Sequence, residues 1–278
     1  MSADTGIGYF IGLMSGTSLD GVDGVLAHFD SKGIPTLTCT ATIDMPKTLR
    51  RELRALNTPT DNEIHRGALA ANAIADLYAT VVGQLLDRAH LLASEIVAIG
   101  AHGQTVRHRP ELGYTTQLLA PARLAELTRV SVIADLRSRD IAAGGQGAPL
   151  VPAFHRAIFG TATPRTVLNL GGIANVTLLR PDEPVIGFDT GPANLLLDLW
   201  SERHTGQPYD LDGQWAAQGH VNEALLKQLL DSDPWFKLPP PKSTGRDQFN
   251  AAWLDDRLNT FGAVAPVDVQ ATLAALTA

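Results

Sequence analysis

The sequence predicts an α/β protein built as two lobes, the second of them incomplete. Three observations lead there. Short apolar, β-prone runs alternate with helical patterns as far as residue 200. The order strand, glycine-rich turn, strand, strand, helix occurs twice, beginning near residue 9 and again near residue 166. Between these two occurrences, residues 142–152 are rich in Gly and Pro, the composition of a crossing between lobes. The expected lobes are 1–145 and 146–278.

The run 9–13 is short and β-prone. It leads into Met14-Ser15-Gly16-Thr17-Ser18-Leu19-Asp20-Gly21, a turn of mostly small residues. Runs 22–29 and 34–43 follow as strands, with Ser31-Lys32-Gly33 reversing the chain between them. The first glycine turn therefore leads into a strand, whereas a dinucleotide-binding turn opens a helix. Residues 61–92 read as a long helix with Asp61 as N-cap. Ile64, Ala68, Ala71, Ala75, Tyr78, Val82, Leu85 and Leu86 keep near-helical spacing along it. Run 96–100 is a buried strand ending at Ala101-His102-Gly103-Gln104-Thr105. Run 114–119 is a strand, 121–128 a helix with Pro121 at its start, and 130–136 a strand ending at Asp135.

Past the crossing, a short helix is expected over 151–159. Runs 166–170 and 173–179 form a hairpin about Gly171-Gly172. Run 185–188 is a strand entering Asp189-Thr190-Gly191-Pro192, and 193–200 is a helix. Beyond residue 200 no β-rich run is found, only helices near 221–230, 250–258 and 267–277. The second lobe thus has three strands.

Composition narrows the function. With 22 Lys+Arg against 29 Asp+Glu, the formal charge of the 278 residues is −7. Binding nucleic acid through phosphates needs clustered basic residues, so this balance argues against that partner. A hydrophobic share of 45% with 18% charged residues is globular and not disordered. The single cysteine, Cys39, excludes an internal disulfide framework and a Cys-rich metal site. No apolar run approaches the roughly 18 residues that span a bilayer, and the acidic start at Met1-Ser2-Ala3-Asp4 is not a signal peptide. A cytoplasmic enzyme acting on a small molecule is the expectation.

Four segments hold candidate chemistry. Ser15-Gly16-Thr17-Ser18 is a tight turn whose small residues let backbone N–H groups and hydroxyls approach an anion, and Asp20 and Asp23 beside it are candidates for holding a magnesium ion. Read without function, the same turn is a glycine hairpin with solvated carboxylates. Asp189 stands at a strand end before Thr190-Gly191, where ligands bind in α/β folds, and such a carboxylate accepts a proton from a hydroxyl or water. Alternatively Asp189 caps the helix from residue 193. His102 and Gln104, also just past a strand, are able to hydrogen-bond a sugar, or belong to a simple turn. Arg137 and Arg139 suit a carboxylate or phosphate, or lie in an exposed charged loop.

Of the remaining patterns, one is a weaker anion candidate and the others are negative. Gly144-Gly145-Gln146-Gly147 is no Walker loop, because no Gly-Lys-Ser/Thr follows, and it reads as a flexible crossing or hinge. Lys242-Ser243-Thr244-Gly245-Arg246 is a candidate anion contact in an otherwise solvated loop. The histidines lack a zinc-binding spacing, and there is no Gly-x-Ser-x-Gly elbow.

Together these segments resemble a known family. The paired glycine turns look like the two-lobed actin, hexokinase and Hsp70 type of ATPase fold, which is ribonuclease H-like. The segment Phe10-Ile11-Gly12-Leu13-Met14-Ser15-Gly16-Thr17-Ser18-Leu19-Asp20-Gly21 closely resembles the opening of the anhydro-N-acetylmuramic acid kinases. So do Gly100-Ala101-His102-Gly103-Gln104-Thr105, Ala134-Asp135-Leu136-Arg137 and the stretch 143–152. Leu168-Asn169-Leu170-Gly171-Gly172, Gly187-Phe188-Asp189-Thr190-Gly191-Pro192 and Pro241-Lys242-Ser243-Thr244-Gly245-Arg246 complete the set. The resemblance covers nearly the whole chain.

The resemblance implies a kinase for cell-wall recycling. It would open the 1,6-anhydro ring with water and phosphorylate O6 with ATP, giving N-acetylmuramic acid 6-phosphate. It implies that Gly16, Thr17, Ser18, Leu19, Asp20, Gly21, Val22 and Asp23 form the ATP phosphate loop, with Asp20 toward Mg²⁺. It implies Asp189 as general base, with His102, Gln104 and Arg137 shaping the sugar pocket. A homodimer is also expected. The family continues past residue 278 with a Gly-rich adenosine segment and further strands, so the second sheet should expose an apolar edge. Two competing readings are a non-catalytic remnant binding sugar or a partner, and a hydrolase using Asp189 and His102 without ATP. The missing adenosine segment favours the remnant for this chain, whereas the intact Asp189 and phosphate loop favour the kinase for the gene it comes from, and the hydrolase rests on no nucleophile motif.

Overall fold

The computed structural model describes residues 7–16 and 19–278. The chain divides into two units, Met1–Gly147 and Ala148–Ala278.

In the first unit, the three opening runs form β1 (Gly8–Met14), β2 (Gly21–Phe29) and β3 (Pro35–Asp44). After them come α1 (Lys47–Ala55), α2 (Glu63–Ala89), β4 (Ile96–Ala101), β5 (Gln104–Arg109), β6 (Tyr114–Leu118), α3 (Pro121–Thr128), β7 (Val132–Ile133) and α4 (Ser138–Ala142). Five strands make one sheet in the order β3-β2-β1-β4-β7. The pairs β1–β2 and β2–β3 are antiparallel, while β4 runs parallel to β1 and β7 to β4. An antiparallel meander flanked by parallel strands is the ribonuclease H-like order that the resemblance implies. β5 and β6 form a separate hairpin.

Side-chain alternation explains which face α2 covers. Ile11 lies opposite Leu26, and Leu13 opposite Gly24, so these positions share one face. Ile11, Leu13, Val22 and Leu26 are buried there. On α2, the buried residues Ala70, Ile74, Ala75, Tyr78, Val81, Val82 and Leu85 recur at helical spacing and complete the same core. The approach is close: a Cβ on Gly24 would lie 2.3 Å from Val81 Cγ1. Each fully buried aliphatic side chain contributes about 1.5–3 kcal/mol. By length and composition α2 is apolar enough to cross a membrane, contrary to the expectation that no run approaches that length; its apolar stripe faces this sheet, as in a core helix.

The structure corrects several expectations in this unit. α2 begins at Glu63, and its N-cap is Asn62 in a left-handed conformation (φ 56°) without a side-chain cap; Asp61 is not the cap. The strand expected over 130–136 shrinks to two residues, and Asp135 sits beyond it in a left-handed turn (φ 54°). The charged segment around Arg137 and Arg139 folds into α4. α1 was not foreseen; its Leu49 and Leu53 are buried among basic neighbours.

The second unit contains α5 (Pro152–Phe159), β8 (Arg165–Leu170), β9 (Ile173–Leu179), β10 (Ile186–Pro192), α6 (Asn194–Thr205), α7 (Glu223–Asp231), α8 (Ala251–Phe261) and α9 (Pro266–Thr277). Its sheet is an antiparallel meander, β10-β9-β8. No strand follows residue 200, as the sequence led us to expect. The helices close a core of Leu196, Trp200, Leu225, Trp235, Phe249, Trp253 and Leu273. Phe249 meets Trp235 and Trp253 edge-on, at centroid distances of 5.5 and 5.1 Å. β8 forms the sheet's edge, where Leu168 and Leu170 are 57% and 51% exposed. This is the apolar edge the sequence predicts.

Candidate active site

The loop after β1 is anchored from both ends. Ser15 is buried, and its hydroxyl donates to Gln104 Oε1 at 2.6 Å. Leu19 adopts a left-handed conformation (φ 58°) although it is fully buried in the unit's core. A bulky residue rarely accepts positive φ unless its surroundings impose it; here, burying the isobutyl group holds the loop down. Leu19 N–H donates to Gly16 O at 3.2 Å, closing the turn. Asp20 receives the N–H of Gly21 on Oδ1 at 2.9 Å, while its carbonyl accepts from Met45 N–H at 2.8 Å and Arg50 Nη2 at 3.0 Å. Asp23 lies on β2 and accepts from the Thr42 hydroxyl at 2.7 Å. Gly21 and Val22 are buried at the start of β2. Thr17 and Ser18, expected in the phosphate loop, lie outside the described residues. Among the described residues, no cluster of three or more His, Cys, Asp or Glu forms a metal cage.

At the end of β4 the chain must turn sharply into β5. Gly103 makes that turn with φ 74°, and a Cβ there would lie 2.8 Å from Leu118 O. Its N–H donates to the Tyr78 hydroxyl at 3.1 Å. Burial pushes the Tyr78 phenol up to about 12, so it stays a neutral donor and acceptor.

The three expected sugar residues divide into two pairs. Gln104 is 2% exposed and bound to Ser15. Arg137 Nε donates to His102 Nε2 at 2.9 Å, while His102 Nδ1 lies 2.8 Å from Gly103 O. Burial, and then the adjacent guanidinium, lower the His102 imidazole to about 4. The ring is thus neutral, with its proton on Nδ1 facing the carbonyl. Arg137 Nη1 also donates to Gly147 O at 2.5 Å, and Gly147 N–H donates to Asp140 Oδ2 at 2.7 Å. These bonds pin the glycine-rich segment that sequence alone reads as a flexible crossing. Sequence reasoning missed Tyr78 and Asp140, because nothing local marks a tyrosine in a helix stripe or a carboxylate in a charged run.

In the second unit, Asp189 sits on β10 and is 5% exposed. Its N–H donates to Lys242 O, and its Oδ2 accepts the Thr244 N–H, both at 2.9 Å. The carboxylate is therefore oriented by the 242–244 loop and does not cap α6, whose N-cap, Ala193, has no side-chain cap. The first N–H groups of α6, from Ala193, Asn194 and Leu195, donate to Gly171 O and Gly172 O at 3.0–3.1 Å. The second glycine turn thus satisfies that helix start.

A chain of side chains braces the loop. Thr244 Oγ1 donates to Gln248 Oε1 at 2.8 Å, and Gln248 Nε2 to Asp233 Oδ1 at 3.2 Å. Asp233 also accepts from Trp235 N–H at 3.0 Å and Trp253 Nε1 at 2.8 Å. Lys242 Nζ donates to the carbonyls of Trp235 and Phe236 and lies 4.2 Å from the Trp235 ring centroid. Lys242, offered by sequence as an anion contact, is thereby committed to the braced loop.

The family described as "Anhydro-N-acetylmuramic acid kinase" matches residues 8–278. A protein of that description from Bordetella petrii is 63% identical over 271 residues, which are 97% of this chain and 72% of that protein. One from Variovorax paradoxus is 59% identical over 279 residues, covering 97% and 74%. One from Burkholderia orbicola is 58% identical over 273 residues, covering 98% and 71%. Among solved structures, a ROK family glucokinase from Streptomyces griseus aligns with TM-score 0.34 and 15% identity, over 82% of this chain and 62% of that one. That likeness is too weak to add weight.

Proposed function

The chain belongs to the anhydro-N-acetylmuramic acid kinase family, and on that premise we propose an ATP-dependent kinase acting on 1,6-anhydro-N-acetylmuramic acid. It opens the anhydro ring with water and transfers the γ-phosphoryl group to O6. The observation that carries the reading is Asp189, buried midway along β10 just before a register shift, where the sequence led us to expect a strand end, with one carboxylate oxygen aligned by the Thr244 N–H.

In this reading Asp189 takes the proton of the attacking water. Water adds to C1, the C1–O6 bond breaks, and O6 gains the electron pair with which it attacks the γ-phosphorus. The protein's task is then mainly alignment and charge stabilisation. Arg137, held by His102 and Gly147 O, presents a planar guanidinium suited to the sugar's lactyl carboxylate. Gln104 acts through Ser15, fixing the loop assigned to the phosphates of ATP. The reading assigns residues 16–23 to those phosphates, and of these Gly21, Val22 and Asp23 open β2.

Magnesium fits this loop in one way. Mg²⁺ in kinases is held by one or two carboxylates plus phosphate oxygens and water, not by an all-protein cage. Asp20, an exposed residue of this segment, suits that mode. When bound, the ion would neutralise phosphate charge. The reading further includes a cytoplasmic setting, a homodimer, and no nucleic-acid partner, consistent with the charge of −7.

The test is incubation with the anhydro sugar, with and without Mg-ATP, following phosphorylated sugar by mass spectrometry. Product that depends on both Mg and ATP is expected. Asp189→Asn should abolish turnover while calorimetric sugar binding survives. Turnover near wild type in that variant would sink the assignment of Asp189 as base.

A further inference from the structure

The register of the second sheet places a polar row beside the base. Asp189 on β10 lies directly opposite Asn175 on β9, and Asn175 directly opposite Asn169 on β8. Directly paired residues of antiparallel strands project to the same face, with Cβ atoms about 4.5–5.5 Å apart. The row is the last polar one before the Gly171-Gly172 turn on one side and the register shift after Asp189 on the other. Two residues along the same face, Thr177 is fully buried and its hydroxyl is paired with His155 Nδ1 at 2.8 Å. Opposite Thr177, a Cβ on Gly187 would lie 2.3 Å from Pro152 Cγ, so α5 closes the face there.

Asn175 differs from Thr177. Its Oδ1 is buried and has no hydrogen-bond partner among the described residues. A buried amide oxygen without a partner costs about 1–3 kcal/mol, so such a group calls for a reason. Asn175 is neutral, and its side chain shares a face with the Asp189 carboxylate on the next strand. Two acceptors side by side match one molecule in this reaction, a water with two hydrogens to give.

We propose that Asn175 is a catalytic residue that shares the attacking water with Asp189; this rests on the reading of Asp189 as base. The water donates one hydrogen to the Asp189 carboxylate and the other to Asn175 Oδ1. With both hydrogens assigned, its lone pair points away from the sheet toward C1. As the oxygen bonds to C1, the C1–O6 bond breaks and its electron pair goes to O6. Asp189 keeps the transferred proton, and the second hydrogen remains on the new C1 hydroxyl, held by Asn175. O6 then bonds to the γ-phosphorus of ATP as the bond to ADP breaks.

Two measurements test this. In the first, Asn175→Leu removes the acceptor at similar volume, and Asn175→Thr restores a hydroxyl acceptor. The leucine variant should lose about 10²-fold in kcat, the scale of a lost alignment, with KM for sugar and ATP unchanged. The threonine variant should recover part of that loss. Near-wild-type kcat in Asn175→Leu, or a change confined to KM, overturns the proposal. The second is a crystal structure of the wild-type protein with the anhydro sugar and no ATP. It should show a water within hydrogen-bond distance of both Asn175 Oδ1 and Asp189, and a sugar-bound site without that water overturns the proposal independently of turnover. If the wild-type protein forms no phosphorylated sugar, the kinase reading falls, while the crystallographic arm still decides the role of Asn175.

Discussion

Arg137 and His102 form a directional pair in which the guanidinium Nε–H donates to His102 Nε2 across 2.9 Å. The pair works only while the imidazole is neutral, because a protonated ring has no acceptor left. Burial and the neighbouring positive charge both keep it so.

This pair predicts an acid-sensitive component of stability. His102 titrates at about 4 when folded, against an ordinary value of 6.5. Above pH 6.5 neither state binds the proton, so the contribution is fully present. Between 6.5 and 4 the unfolded chain takes up a proton that the folded chain refuses, and stability falls as pH drops. Urea unfolding at pH 7.5 and pH 5.0 should show a larger loss for wild type than for His102→Gln. Equal losses would mean that His102 is not held neutral.

Asp233 is expected to be the structural hub behind the base. Its carboxylate serves Trp235 N–H, Gln248 Nε2 and Trp253 Nε1, and lies 3.6 Å from Arg257 Nη2. Asp233→Ala leaves several buried donors without acceptors and should cost about 3 kcal/mol or more. Asp233→Asn keeps one amide oxygen as an acceptor and should cost less. Thermal unfolding of the two variants checks the order; an alanine variant as stable as wild type would refute it.

Gln270 on α9 offers the opposite outcome. It is 1% exposed, and neither polar atom of its amide has a hydrogen-bond partner among the described residues. Replacing it with Met keeps an unbranched shape and removes the unpaired groups. Gln270→Met should stabilise the protein by about 1 kcal/mol, raising Tm by roughly 2–4 °C. A fall in Tm on calorimetry would show that the amide has a partner in solution.

Much of the architecture could be read locally. Ile11, Leu13, Val22 and Leu26 announce a half-buried sheet by alternation, and the apolar stripe of α2 announces its helix. α1 escaped because Leu49 and Leu53 are set among Lys47, Arg50, Arg51 and Arg54, which mask a short stripe. The strand expected over 130–136 is shorter because apolar content alone does not supply a pairing partner; Val132 and Ile133 pair in register with β4, and Ser131 O accepts the Ile99 N–H at 2.8 Å.

For the site, the sequence by itself determined which chemical groups are present: Asp189, His102, Gln104, Arg137 and the small-residue turn before Asp20. Only the tertiary structure decided what each one holds. Gln104 reaches Ser15 across 89 residues, and Asp189 receives the Thr244 N–H across 55. Asn175 gains its meaning from lying opposite Asp189 on the next strand. The physical reason is that periodicity records only which side of an element is buried. Hydrogen-bond partnership depends on strand register and loop closure, which bring together groups that no local pattern relates.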